Sequence, residues 1–244
     1  MILLLDAGNT RIKWGLRQRG TWLLRGACPT GEVSRLQADL TEYSLRRALL
    51  CCVAGDETRL ALGRLLAGRV EQISWVRAAA EAFGLRNDYQ PPESLGADRY
   101  AALVAAAQLG LGDCVVVTVG TALTVDALTA EGRFLGGTIA PGPDLMQRAL
   151  QLGTAGVREF SGELASLPTH TAAAVATGIA LAQVGVVTAM RERLARHAGR
   201  PVTLLLSGGA RAGLRPLFAP PVVEADDLVL EGLAWMAKEY AWED

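Results

Sequence analysis

Apolar and polar positions along this chain change their period in the same order twice. In each series an apolar strand runs into a glycine turn, and two further short strands follow, joined to each other at a second glycine. Alternating helical and buried-strand patterns come next in both series. The pattern predicts an α/β protein in which a three-strand meander is written twice.

The two series align without a gap. Residues 3–10, LLLDAGNT, lie over residues 115–122, VVVTVGTA, and in the same register Gly20 falls on Gly132. Self-similarity of this kind indicates a repeated structural unit. We therefore expect two lobes related by duplication.

Further elements are expected after each meander from the helical and apolar periodicities. Helices are expected at 32–40, 57–66, 145–150, 171–197 and the end of the chain, and strands at 48–53, 70–76, 202–206 and 221–224. The stretch 87–96 contains Pro91 and Pro92 and has no periodicity, so it is predicted to be a linker. The expected lobes are residues 1–90 and 91–244.

Composition narrows the classes of function. Half of the 244 residues are hydrophobic, the formal net charge is -1 and the pI is about 6.2. Such a chain offers no basic field, so neither nucleic acid nor an anionic membrane is an expected partner. The chain starts without a signal-peptide pattern, and its cysteines lack metal-type spacing, which predicts reduced thiols in a cytoplasmic protein. These cysteines are Cys28, Cys51, Cys52 and Cys114.

One segment has the length of a membrane span. Thr171 to Met190 carries no charged residue and is about long enough to cross a bilayer. Small residues dominate it and it contains Gln183, so it is only weakly apolar. We expect a helix packed inside the protein or against a second subunit, and no membrane span.

The first glycine turn carries a candidate phosphate site. Gly8, Asn9 and Thr10 follow an apolar strand, and a turn of this kind presents backbone N–H groups to an anion. Asp6 at the strand end suits a metal-bound water beside phosphates, and Lys13 suits a phosphoryl oxygen. Lysine occurs at only one other position, which favours a specific role for this ammonium. A tight hairpin with Asn and Thr as turn residues fits the same residues.

A second candidate lies at 96–99, GADR, before an alanine-rich helix expected at 101–108. Asp98 could take the proton from an alcohol that attacks the γ-phosphate of a nucleotide, while Arg99 orients an anionic group. An acid and a base at a helix start can equally be simple capping. The residues alone leave both interpretations open.

Three further stretches place glycine and hydroxyl residues at strand ends. They are 120–126 (GTALTVD), 136–142 (GGTIAPG) and 205–210 (LLSGGA). The first two would offer a second set of donors to a triphosphate, and the third would admit a flat nucleoside against the backbone. Each also fits an ordinary turn.

In this order, these stretches resemble the type III pantothenate kinase family, a branch of the superfamily of actin and the sugar kinases. The resemblance runs from Asp6 to Gly232. Its most specific pieces are 6–10 with Lys13, 96–99, 120–122 with Thr124 and Asp126, and 136–137 with 141–142. It implies two actin-like, ribonuclease H-like lobes, each a three-strand meander followed by alternating helices and strands, with nucleotide bound between them.

The resemblance also implies an activity and a site. The activity is phosphorylation of pantothenate by ATP with Mg²⁺, the first step of coenzyme A biosynthesis, in a homodimer. Asp98 would be the proton acceptor. The nucleotide contacts would be Asp6, Ala7, Gly8, Asn9, Thr10, Arg11, Ile12, Lys13 and Thr121. The pantothenate contacts would be Tyr89, Gly96, Ala97, Asp98, Arg99 and Thr171. Tyr89 could instead be an aromatic ring packed on the core, and Thr171 could be a helix N-cap.

One position departs from the family pattern. Where the family has an aspartate that binds a monovalent cation, this chain has Thr118. A neutral hydroxyl cannot supply the same charge to K⁺ or NH₄⁺, which puts cation dependence in question. Asp126 lies further along the strand and does not obviously replace it.

Two rival functions stay open at this point. Some relatives of the family have been described as accessory factors in transcription, although the near-neutral charge and the occupied catalytic positions favour an enzyme. A related kinase for another small alcohol would differ only around Tyr89, Arg99 and Thr171. An assay with ATP and pantothenate separates the three functions.

Overall fold

The computed structural model describes residues 1–155, 157 and 162–242. Its strands are β1 (Ile2–Ala7), β2 (Arg11–Gln18), β3 (Thr21–Pro29), β4 (Leu45–Cys52), β5 (Val70–Trp75), β6 (Glu81–Ala82), β7 (Leu85–Asn87), β8 (Cys114–Val119), β9 (Ala122–Leu128), β10 (Arg133–Pro141), β11 (Thr203–Ser207) and β12 (Val222–Glu224). Its α-helices are α1 (Ser34–Leu40), α2 (Gly55–Leu66), α3 (Ala97–Gln108), α4 (Pro143–Gly153), α5 (Thr171–Ala198) and α6 (Leu228–Glu239). The chain folds as two compact units, one of residues 1–110 with the C-terminal stretch from Asp227, the other of residues 111–226.

The first unit is built on a five-stranded sheet in the order β3-β2-β1-β4-β5. Its central strand, β1, pairs antiparallel with β2 and parallel with β4. A strand covered on both faces is apolar at every position rather than at alternate ones. The run from Ile2 to Leu5 meets that requirement, and all of its side chains are fully buried. Leu5 packs in a core that also contains Leu36 of α1 and Leu62 of α2.

The second unit repeats this arrangement. Its strands run in the order β12-β11-β8-β9-β10, with β8 antiparallel to β9 and parallel to β11. Strands β8 to β12 thus take the places that β1 to β5 have in the first unit. Helix α5 packs on β8 and β9, and its Val187 shares a core with Val117 and Val125. The predicted α/β fold with two duplicated lobes is confirmed.

The two meanders turn at equivalent glycines. Gly20, between β2 and β3, has a φ of 78°, and Gly132, between β9 and β10, has a φ of 77°. Glycine adopts this left-handed conformation without the steric cost that a side chain brings, which explains its presence in both copies. The register found by aligning the sequence with itself is therefore also the structural register.

The compact units divide the chain differently from the expected boundary at 90/91. The stretch 87–96 is tied down by the buried Asn87, whose side-chain amide donates to the carbonyls of Ala79 and Pro92. The same side chain accepts a hydrogen bond from the backbone N–H of Tyr89. The first unit therefore continues through this stretch to residue 110.

The C-terminal helix belongs to the first unit because α6 packs closely against α3. At Gly232 the two helices approach so nearly that a Cβ would lie 1.9 Å from the carbonyl oxygen of Ala101. Only glycine permits that approach. The chain thus leaves the first unit after α3 and returns to it at α6.

Most of the remaining expected elements are present, with shifted ends. Helix α3 begins at Ala97 rather than at Ala101, and α4 extends beyond its expected range at both ends. The β6–β7 hairpin was not predicted. Its two turn residues, Phe83 and Gly84, both have positive φ, at 55° and 72°. Turns of this kind usually contain Asn-Gly or Asp-Gly, so the dipeptide Phe-Gly did not indicate a hairpin in the sequence.

Helix α5 is long and apolar enough to cross a membrane by length and composition. One third of its most apolar window is buried, at 33%. A single helix of this kind is weak evidence, because core helices pass the same test. The packing of α5 on β8 and β9 agrees with the expectation of a helix packed inside the protein, and packing against a second subunit stays a prediction.

Replacing Gly232 with Ala is expected to lower the free energy of unfolding by about 1–3 kcal/mol, because the new methyl group would overlap the Ala101 carbonyl and force the helices apart. Denaturant unfolding measures the change. Gly63→Ala is the matched control, because Gly63 lies in α2 with open space at its Cβ position. The control should be neutral or stabilising by up to about 1 kcal/mol. Equal effects of the two substitutions would contradict the close α3–α6 contact.

Candidate functional site

The first glycine turn connects β1 to β2 and is held from one side. The backbone N–H of Gly8 donates to the carbonyl of Arg11 at 3.0 Å, and the Thr30 hydroxyl donates to the Gly8 carbonyl at 2.7 Å. Asn9, Thr10 and Arg11 are exposed at the tip. The turn is thus a braced hairpin whose tip is open to a ligand.

The neighbours of this turn along the strands differ in what they can contact. Ala7 and Ile12 are fully buried, and Ile12 belongs to the apolar core. Their side chains face the interior, so these side chains do not reach a phosphate at the tip. This distinguishes them from Asn9 and Thr10, whose side chains are exposed.

Asp6 lies at the end of β1 between two polar neighbours. It is in register with Lys13 on β2 and with Cys51 on β4. The Cys51 thiol donates a hydrogen bond to Asp6 Oδ1, with an S···O distance of 3.2 Å. Burial raises the pKa of Asp6 from 3.8 to about 6, against the lowering effects of the thiol and of Lys13. The nearby charges of Asp98 and Asp227 add to the rise.

Cys51 is the contact that the sequence did not reveal. Burial first, and then the charge of Asp6, raise the pKa of this thiol well above 9.0, so it is a neutral S–H donor. All four cysteines are free thiols, as expected, although Cys52 is only half-buried. Cys51 reads in the sequence as an ordinary core residue, since nothing local shows that its neighbour across the sheet is a carboxylate.

Lys13 is not a free cation. Its Nζ lies 2.6 Å from Oδ1 of Asp227, a residue 214 positions further along the chain. Its side chain is 35% exposed, so the ammonium still reaches solvent. The structure therefore places this lysine on the same face as Asp6 and gives it an anionic partner that sequence reasoning missed.

Asp98 lies in the first turn of α3, directed back along the chain. Its Oδ1 accepts a hydrogen bond from the backbone N–H of Arg99 at 2.8 Å. The N-cap position is Gly96, so Asp98 is not the N-cap, although it does bind one first-turn N–H group. Its charge raises the pKa of both Asp6 and Cys51, so the GADR stretch lies within electrostatic range of the end of β1.

Gly96 has a steric role beside this carboxylate. A Cβ on residue 96 would lie 2.7 Å from Oδ1 of Asp98 and 3.9 Å from Val53 Cγ1. The backbone of Gly96, with φ −54° and ψ 137°, is open to any residue. Glycine therefore leaves room for the Asp98 carboxylate in this position, and a Cβ would make the carboxylate shift.

Arg99 and Tyr89 are brought together, as the expected substrate contacts require. Arg99 is only 6% exposed, and its Nη1 donates to the Tyr89 hydroxyl at 3.0 Å. Its guanidinium carbon also lies 5.3 Å from the centroid of the Tyr89 ring. Tyr89 is half-buried and engaged through its hydroxyl, so it is more than an aromatic packed on the core. Ala97, the first residue of α3, is half-buried beside them.

The predicted residues of the second unit lie on its own sheet and helix. Thr121 is in the turn between β8 and β9, where its carbonyl accepts the N–H of Gly142 at 2.9 Å. A Cβ at Gly142 would lie 2.0 Å from the carbonyl oxygen of Gly120, so this close approach needs glycine. Likewise Gly208, with a φ of 95°, lies where a Cβ would meet the Val119 carbonyl oxygen at 2.3 Å.

Thr171 is the first residue of α5 and is exposed. The N-cap is His170, whose Nδ1 accepts from the N–H of Ala173 at 3.4 Å, so Thr171 does not cap the helix. Thr171 lines an open groove of about 1010 Å³ between α4 and α5. Its hydroxyl is therefore on a surface that a ligand or a second subunit can reach.

Thr118 holds the position of the expected cation aspartate. It pairs with Thr124 on β9, and Asp126 pairs with Val116. Residues two apart on a strand share a face, so the buried Asp126 is a diagonal neighbour of Thr118 on one side of the sheet. In the part of the chain that the structure describes, no group of three or more His, Cys, Asp or Glu side chains is placed to hold a metal ion.

Comparison with known proteins gives a consistent picture. The profile of the type III pantothenate kinase family matches residues 2–193. A type III pantothenate kinase of Aromatoleum aromaticum is 43% identical over 242 residues, covering 99% of each chain. One from Chromobacterium violaceum is 41% identical over 239 residues, covering 97% of this chain and 99% of the other.

Solved structures that resemble this one share its fold at low sequence identity. A Campylobacter jejuni protein assigned to the Baf family of transcriptional activators has a TM-score of 0.65 at 20% identity, covering 98% of both chains. A Sinorhizobium meliloti protein assigned as a 2-dehydro-3-deoxygalactonokinase has a TM-score of 0.64 at 15% identity, covering 98% of this chain and 99% of its own. At such identities the likeness shows the fold alone.

Replacing Asp6 with Asn is expected to raise the free energy of unfolding at pH 8 by about 1–3 kcal/mol, because a neutral amide avoids burying a carboxylate. The folded-state pKa of about 6 lies above the unfolded value of 3.8, so the proton-linked stability is present at low pH. It is lost as pH rises through about 6.

Urea unfolding of both proteins between about pH 4 and pH 8 checks this sign. The difference in free energy should be small at the acidic end and should level off above about pH 7. A difference that stays constant with pH would show that Asp6 does not titrate in this range.

Proposed function

Because the chain belongs to the type III pantothenate kinase family, we propose that it transfers the γ-phosphoryl group of ATP to the primary alcohol of pantothenate. The products are 4′-phosphopantothenate and ADP, and the reaction is the first step of coenzyme A biosynthesis. The observation that carries the proposal is that Asp6 is in register with Lys13 and within electrostatic range of Asp98 at the end of β1, inside the span that matches the family. Carboxylates and an ammonium at a glycine turn suit phosphoryl transfer to an alcohol.

Asp98 is the proton acceptor in this proposal. As the pantothenate hydroxyl oxygen forms a bond to the γ-phosphorus, the bond from phosphorus to the bridging oxygen of ADP breaks. The hydroxyl proton passes to the Asp98 carboxylate. Its Oδ1 is oriented by the Arg99 N–H, and Gly96 leaves the space that this orientation needs.

The nucleotide phosphates are bound by the first glycine turn. Asn9 and Thr10 present donors at the open tip, Gly8 shapes the turn beneath them, and Lys13 balances phosphate charge. Thr121 in the equivalent turn of the second unit is the further ATP contact. Mg²⁺ in such sites takes one or two carboxylates together with phosphate oxygens and water.

Asp6 fits the role of the magnesium-facing carboxylate. Burial raises its pKa to about 6, so its ionised form is costly there and a cation beside it relieves that cost. When bound, Mg²⁺ neutralises charge that develops on the phosphates. Thr118 supplies no charge for a monovalent cation, and we expect K⁺ or NH₄⁺ to be dispensable.

Pantothenate is recognised through Arg99 and Tyr89. A guanidinium suits the pantothenate carboxylate, because its donors match the two oxygens, and a buried guanidinium gains more from such a partner than an exposed one. The Tyr89 hydroxyl, oriented by Arg99, and Thr171 suit the amide and hydroxyl groups of the substrate. A kinase for another alcohol would need a different arrangement here.

A homodimer through α4 and α5 is also part of the proposal. Leu152 in α4, Leu167 before α5 and Leu181 in α5 are 90%, 84% and 63% exposed, which is a large exposure for apolar side chains. The groove between the helices is lined by Thr171 and by Gly153, Pro168 and Ala182, the sequence neighbours of these leucines. We place the reaction in the cytoplasm, where thiols stay reduced.

Purified protein incubated with ATP, Mg²⁺ and pantothenate tests the function through ADP release. Replacing Asp98 with Asn should lower kcat by about 10²–10⁴-fold and leave the KM for ATP within about twofold, because the amide cannot accept the proton. The thermal midpoint should be unchanged within a few degrees. Full turnover by this variant would show that Asp98 is not the base. Release of ADP by the wild-type protein only with another alcohol would show that pantothenate is not the substrate.

Replacing Gly96 with Ala should lower kcat by about tenfold, because the new methyl group displaces the Asp98 carboxylate without straining the backbone. The same ADP assay measures the loss, and circular dichroism should show an unchanged fold. Gly63→Ala serves as the control and should keep wild-type kcat. An unaffected kcat in Gly96→Ala would mean that the position of this carboxylate does not limit turnover.

A further inference from the structure

Asp227, at the N-cap of α6, departs from the usual backbone and side-chain conformation of an N-cap aspartate. Its backbone is left-handed, with φ 44° and ψ 42°, and its side chain makes no capping hydrogen bond to its own helix. An aspartate at this position ordinarily has an extended backbone and accepts a first-turn N–H. A residue that departs from both rules is held by contacts elsewhere.

Those contacts are two cations of the β2–β3 face. Oδ1 of Asp227 lies 2.6 Å from Lys13 Nζ, and Oδ2 lies 3.6 Å from Nη1 of Arg25. In the strand register Arg25 is opposite Gly15, which makes it a diagonal neighbour of Lys13 on the same face. Adjacent like charges repel, and the Asp227 carboxylate between them removes that repulsion.

Arg25 is fixed from its other sides. Its Nη2 lies 2.5 Å from Oε1 of Glu231, one turn further along α6, and its guanidinium carbon lies 4.2 Å from the ring centroid of Trp22. The Trp22 ring in turn lies against Gly15, where a Cβ would be 2.4 Å from it. The Asp227 carboxylate that faces Lys13 is therefore held by a well-packed neighbour.

Lys13 gains from such a support because its side chain is long and flexible. Ordering a lysine against a ligand costs rotamer entropy at the moment of binding. A partner that orders it beforehand, on the face that also carries Asp6, removes that cost from the binding step.

We propose that Asp227 is a positioning residue for Lys13, holding the ammonium beside Asp6 so that a nucleotide phosphate meets an ordered cation. The proposal rests on the proposed function in one respect, that Lys13 contacts phosphate. Asp227 itself acts through Lys13 and need not touch the nucleotide.

A purely structural tether between α6 and the sheet is the competing role for this ion pair. The two side chains are 35% and 28% exposed, and ion pairs at such exposure contribute little to stability. Removing the charge of Asp227 should thus change nucleotide affinity far more than the thermal midpoint. A tether would show the reverse.

Asp227→Asn is the first variant, because asparagine tolerates the left-handed backbone while losing the charge. Calorimetric titration with a non-hydrolysable ATP analogue and Mg²⁺ should show a Kd raised about tenfold, with the KM for pantothenate within about twofold. Asp227→Gly, which also accepts this backbone, should behave alike. Glu231→Gln weakens only the outer Arg25 contact and keeps the Asp227 charge, so it should raise the Kd by less than about twofold.

A double-mutant cycle with Lys13→Met decides whether Asp227 acts through Lys13. In the Lys13→Met background, Asp227→Asn should cause no further loss of affinity. The proposal would be overturned if Asp227→Asn caused its full loss of affinity in the Lys13→Met background as well. It would also be overturned if Asp227→Asn alone left the Kd unchanged or lowered it, or if it lowered the thermal midpoint strongly without changing the Kd. The binding readout is independent of the substrate: wild-type protein that binds the analogue but does not phosphorylate pantothenate would overturn the function alone.

Discussion

The charge of Asp6 at the end of an apolar central strand is the constraint around which the first unit is arranged. The strand must be apolar to be buried on both faces, yet it carries the Asp6 carboxylate near the turn. Burial raises the pKa of this carboxylate to about 6. A thiol from β4 and an ammonium from β2 lower that pKa only in part. A costly group that is only partly compensated is typical of a site kept for chemistry rather than for stability.

The duplication makes the asymmetry of the two units informative. Both have the same strand order and the same glycine turns, but where Asp6 pairs with Lys13 in the first unit, Thr118 pairs with Thr124 in the second. The backbone plan is thus repeated while the charge is not. Close approaches such as that at Gly142 depend on glycine rather than on charge, so the second unit keeps them without an acidic residue at position 118.

Most of the fold could be read from the sequence because its signals are local. Apolar runs, helical periods and the glycines at 20 and 132 each act within a few residues, and they gave both meanders. The expected boundary at 90/91 relied on two prolines, and the side-chain hydrogen bonds of Asn87 that tie down this stretch leave no sequence signature. The Phe83-Gly84 hairpin was missed because its first residue is not a usual one for that turn.

In the candidate site, too, the local motifs could be predicted from the sequence and the contacts between distant residues could not. The glycine turn and the GADR stretch were found as motifs, and their proximity follows from the packing of α3 against β4, the strand next to β1. The Cys51 contact depends on the parallel register of β1 and β4, which no pattern in either strand encodes.

The contact between Lys13 and Asp227 joins residues 214 positions apart, yet the conformation of Asp227 alone indicates it. Asp227 is an aspartate at a helix start that does not cap its helix and has a left-handed backbone. Folding alone favours neither feature, so a residue that keeps both is best explained by the cation it holds.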